Sequence, residues 1–90
     1  MDIKNYMEEI EYKLIHFSYE LTTDIHQKIK TKVFYYQNQI ETYVSKQIKW
    51  FINGLAIKPA LKYVYTVQLS QLVQNKMKDI YQKHVLLKSI

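Results

Sequence analysis

The chain has no cysteine, no arginine, one glycine and one proline in 90 residues. Without cysteine there is no disulfide, zinc ribbon or thiol nucleophile, and a metal would have to be held by histidine and carboxylates. Without arginine all thirteen positive residues are lysines. Lysine brings a point charge to phosphate but lacks the planar fork that reads guanine edges or clamps a carboxylate through two bonds. A Gly-rich phosphate loop, a Ser-His-Asp spacing and a Glu-x-x-His pattern of bundle metal sites are also missing, so we expect neither catalysis nor a cofactor nor a bound metal. The longest uncharged apolar run, "WFINGLAI" at 50–57, has 8 residues, against the roughly 20 a helix needs to cross a bilayer. "MDIKNYMEEIEYK" at the start is charged and amphipathic, unlike a secretory signal. We expect a soluble, intracellular (cytoplasmic) protein.

Apolar residues make up 48% of the chain, too many for a disordered polymer, and the scarcity of glycine and proline favours helix. Ile3, Met7, Ile10, Leu14, Phe17 and Leu21 recur at steps of four and three, one stripe of an amphipathic helix over 2–21 capped by Asp2. Thr22 and Thr23 are mediocre helix formers, and Asp24 followed by Gln27 fits a capping box, so a boundary is expected near Thr22. A second helix is expected over 24–53, ended by Gly54 in the left-handed conformation with Leu55 folding back on Trp50. Pro59 suits the first turn of a third helix over 59–87, with Leu61, Tyr65, Leu69, Leu72, Val73, Met77, Ile80, His84 and Leu87 on or beside one face.

The expected fold is therefore all-α: a single-domain three-helix bundle built on a long antiparallel hairpin. Because the stripe also continues through Ile25, Ile29, Val33, Tyr36, Ile40, Val44, Ile48 and Phe51, the alternative is one continuous N-terminal helix of about 50 residues in an elongated dimer. With the first helix the shortest of the three, the hairpin end carrying Trp50 is expected to be left bare.

Three patches are candidate contact surfaces. The tip residues Trp50, Phe51, Leu55 and Ile57 either close the hairpin's own core or form an apolar knob for a protein partner. The run "VFYYQ" at 33–37 points to every side if helical and must be covered on at least two; Phe34 and Tyr35 are candidates for self-association into a homodimer. Lys28, Lys32, Lys46, Lys49, Lys58 and Lys62 could track a nucleic-acid backbone, or be no more than a solvated face. Contact with a membrane is disfavoured, since no long apolar face is free for lipid. His16, Glu20 and Asp24, at i, i+4 and i+8, could align as metal ligands but read better as a surface His–Glu pair.

Charge is uneven. Residues 1–24 carry six acids and two lysines, whereas 25–90 carry eleven lysines and two acids. The acidic segment can fold back on the basic ones, or the basic surface can meet an acidic partner. The leading expectation is a non-catalytic helical protein that binds another macromolecule through protein–protein contact. It would be a small inhibitor of the kind phages and mobile elements carry, or an accessory subunit of a larger complex. A nonspecific nucleic-acid binder is the alternative.

Overall fold

A computed structural model describes residues 3–89, with side chains described as far as Lys83. Three helices run in order: α1 (Ile3–Lys30), α2 (Gln37–Asn53) and α3 (Pro59–Ser89). The molecule is an elongated all-α bundle, about 54 × 20 × 17 Å along its principal axes. Asp2 as a cap, and the side chains of His84 and Leu87, lie outside the described residues.

The expected break at Thr22 is absent. Thr22 Oγ1 donates to the Ser18 carbonyl at 2.8 Å and lies 3.0 Å from that of Tyr19, while Thr23 Oγ1 donates to the Tyr19 carbonyl at 2.8 Å. Both hydroxyls thus bond back into the preceding turn, a mode that leaves the helix intact. Asp24 does not cap either; its carboxylate goes sideways to Tyr43 and Lys28.

The chain breaks instead at 31–36. Lys32 takes φ 62, the left-handed conformation. The Val33 amide reaches the Lys28 carbonyl at 2.9 Å and the Lys32 amide that of Ile29 at 3.1 Å, the bond pair of a Schellman stop. "VFYY" is consequently a loop and not the middle of a helix. Its β-branched and aromatic residues are weak helix formers, and a loop need not cover every side of the run: Phe34 turns inward while Val33, Tyr35 and Tyr36 stay exposed. The continuous 50-residue helix does not form, and the second helix starts at Gln37 rather than Asp24.

Helix lengths are redistributed as a result. At 1.5 Å per residue α1 and α3 are about 42 and 46 Å long and α2 only about 26 Å. α1 therefore reaches the Trp50 end: Tyr6 Oη donates to the Ala56 carbonyl at 2.6 Å, and Tyr65 Oη to Met7 Sδ at 3.3 Å. These contacts run α1 parallel to α3, with α2 antiparallel to both. Gly54 has φ −76, right-handed, and its amide bonds to the Trp50 and Phe51 carbonyls. The expected left-handed cap is not used. Pro59 does open α3, and Lys62 Nζ bonds the Asn53 carbonyl at 3.1 Å, closing the last turn of α2.

The core follows helical spacing on all three elements: Ile10, Leu14, Leu21, Ile25 and Ile29; Ile40, Val44, Ile48 and Ile52; Tyr65, Leu69, Val73 and Met77. α3 packs against both α1 and α2. Each fully buried aliphatic chain here contributes about 1.5–3 kcal/mol. Among the described residues no helix is long and apolar enough to cross a membrane.

Candidate functional site

The tip residues separate. Ile52 is in the core, and Phe51, Leu55 and Ile57 pack against it. Phe51 stacks on Phe17 of α1 with ring centroids 4.2 Å apart. Leu55 is partly buried against the core. Trp50 alone is left outside, 71% exposed in the last turn of α2. It is flanked in sequence by a buried Ile48 and a stacked Phe51, so its backbone is held while its indole is free.

At the opposite end, the loop is pinned by a polar and aromatic cluster. Tyr43 Oη donates to Asp24 Oδ2 at 2.7 Å, and Lys28 Nζ sits 3.1 Å from the same oxygen. That ammonium also lies over the Tyr43 ring at 4.0 Å from its centroid and over the Phe34 ring at 5.3 Å. Burial alone would push the Asp24 carboxyl up, but hydrogen bonds from Tyr43 and Lys28 outweigh it and hold it below the usual carboxylate range. Bonding with Tyr43, and then with Asp24, raises the Lys28 ammonium. Phe34 is thus half-buried against Tyr43 at 5.2 Å, whereas Tyr35, its expected partner in self-association, is 72% exposed.

The six lysines of the nucleic-acid alternative are spread over α1, the loop, α2 and the start of α3. Lys28 is engaged with Asp24, Lys32 sits in the loop, Lys46 and Lys49 ride on α2, and Lys58 and Lys62 belong to the turn before α3 and its first turn. His16 pairs with Glu20 at 3.0 Å and stacks near Tyr12, while Asp24 faces α2. The aligned trio does not assemble, and among the described residues no group of three or more His, Cys, Asp or Glu gathers for a metal.

One further surface lay outside the expectations from sequence, and a second unites Lys32, Phe34 and Tyr35, which were expected there in separate roles. The first is an exposed row on α1, Tyr12, Ile15 and Tyr19, with Tyr63, Val64 and Val67 exposed on α3; Tyr19 meets Lys76 of α3 at 4.9 Å. The signal was apolar residues off the main stripe at steps of three and four. The second is a cleft of about 210 Å³ lined by the ends of α1 and α3, the loop and the start of α2. It adjoins a larger one of about 520 Å³ between α2 and α3, and Tyr81 and Gln37 border both. Burial first, then Glu41, raises the Tyr81 phenol, whose hydroxyl is buried without a partner among the described residues. Compared with protein-family models, curated proteins and solved structures, the chain matches none.

Proposed function

We propose that this is a non-catalytic helical protein that acts by occupying a surface on another protein, as a small inhibitor of the phage or mobile-element type or as an accessory subunit. Trp50 carries the reading. The only tryptophan of the chain stands outside a core that has absorbed Phe51, Ile52, Leu55 and Ile57. Tryptophan is among the residues that dominate binding energy at interfaces, where a rigid aromatic fills a partner's pocket at small entropic cost. Phe51, Leu55 and Ile57 support it from beneath by fixing the end of α2.

The test is differential capture from lysate of the native source, nuclease-treated and washed at high salt, with wild type and Trp50→Ala side by side. A protein retained stoichiometrically by wild type and lost by a variant of equal helicity and melting temperature supports the reading. Equal retention by both removes Trp50 from the interface and the proposal with it.

A further inference from the structure

The net charge of the chain is +5, and the fold places two of its lysines, Lys30 and Lys32, on one cleft. Residues 25–40 and 80–90 contain five lysines and no acid, with Asp24, Glu41 and Asp79 directly beside them in sequence. Residues 25–40 are the end of α1, the loop and the start of α2; 80–89 are the last turns of α3. Those segments meet at one end of the bundle, where Tyr81 lines the same cleft as Ile29, Lys30, Lys32 and Ile40. Lys30 and Lys32 therefore stand together at one end of the long axis, while Lys28 beside them is paired with Asp24.

The cleft at that end has the composition of an anion site with aromatic walls. Two lysines, three tyrosines and Phe34 are among its lining residues, and no carboxylate lines it among the described residues. Among the described residues Lys30 and Lys32 make no ion pair, whereas Lys28 beside them is tied to Asp24. Tyr35 and Tyr36 are 72% and 65% exposed, with centroids 6.2 Å apart and planes at 54°, so each ring keeps a free face. At about 210 Å³ the cleft is below the about 300–1,000 Å³ that houses drug-sized ligands, and suits one planar ring.

Lys32 adds a separate observation. It holds the left-handed position at the helix stop, where glycine is the default and a side chain is strained. At that backbone cost, Lys32 places a second ammonium on the cleft beside Lys30.

We propose that this cleft binds one nucleotide unit of a single-stranded nucleic acid, a base against Tyr35 or Tyr36 and its phosphate against Lys30 and Lys32. A single strand is required because bases in a duplex have no free face to stack. Recognition is tolerant of sequence, since lysine supplies no bidentate base reading. The site is independent of Trp50, which lies at the other end of the bundle.

The test is fluorescence anisotropy with a labelled oligothymidylate of about 12 nucleotides, within the about 4–16 that single-strand sites span, at low and moderate salt. Wild type is expected to bind with an affinity that falls linearly with salt on a log–log plot. In Lys30→Gln/Lys32→Gly that slope becomes shallower by about 0.7, the one phosphate contact of the cleft. Tyr35→Ala/Tyr36→Ala weakens binding about 5-fold or more at every salt. Lys32→Gly alone is expected to melt higher yet bind more weakly, which excludes misfolding as the cause. Lys46→Gln/Lys49→Gln and Trp50→Ala leave binding unchanged.

Four results would overturn the proposal: no binding at low salt, equal affinity for a duplex, equal loss in the Lys46/Lys49 variant, or competition by thymidine monophosphate as effective as by the oligomer. The last would reassign the cleft to free nucleotides. Binding to phosphatidylserine vesicles in place of the oligomer would likewise replace this account with a lipid one.

Discussion

Ser18 is fully buried in α1, and its hydroxyl has no partner among the described residues. A buried unpaired hydroxyl carries a desolvation cost. Ser18→Ala is expected to raise stability by about 1 kcal/mol in urea unfolding, whereas Leu69→Ala, at a fully buried site, should cost about 2–5 kcal/mol. At Gly54 a methyl group would meet the Phe51 and Trp50 carbonyls at 3.4 and 3.6 Å, ordinary contact distances, at a right-handed φ. Gly54→Ala is thus expected to stabilise by about 0.4–1 kcal/mol through the unfolded chain, the opposite of what a left-handed cap would give. The sequence showed a glycine at a helix end, but glycine takes either hand without steric cost, so its presence does not reveal whether that end closes right- or left-handed.

The three helices and the proline that opens α3 were legible because their apolar positions repeat at helical steps. The break between α1 and α2 was not. Two threonines and an acid at 22–24 looked like a boundary, yet back-bonding absorbs them, and the real stop is a lysine in a conformation that the sequence does not announce. Four apolar residues in succession at 33–36 were the available signal for a loop, since no helix could cover them all. The loop is held by Asp24, Lys28, Phe34 and Tyr43. Asp24 lies below its ordinary range, so its contribution is present above its unfolded value of about 3.9 and is lost as pH falls through the lower folded value. Lys28 is raised, so its contribution is full below about 10.4 and is lost as pH rises through the folded value. Between those limits Tyr43→Phe is expected to lower stability by about 0.5–1.5 kcal/mol. The deficit should shrink once Asp24 protonates, as thermal melts across pH 2–7 would show.

At the scale of the whole molecule, the shift of the break from Thr22 to 31–36 decides what each end presents. α1 becomes long enough to reach the Trp50 end, where its Tyr6, Met7 and Phe17 bind down the turn and leave one indole outside. The loop brings Lys30 and Lys32 at the other end beside the exposed Tyr35 and Tyr36. Charge counting along the chain found the basic excess, but only the fold places Lys30 and Lys32 beside Tyr81 of α3. Both proposed surfaces depend on this single feature of chain routing, and amide hydrogen exchange read residue by residue tests it directly. Protection running without a gap from Ser18 to Ile29, with fast exchange at Phe34, Tyr35 and Tyr36, is the expected pattern. Fast exchange at Thr22 to Asp24 with protection across 33–37 would restore the earlier boundary and remove the basis for both surfaces.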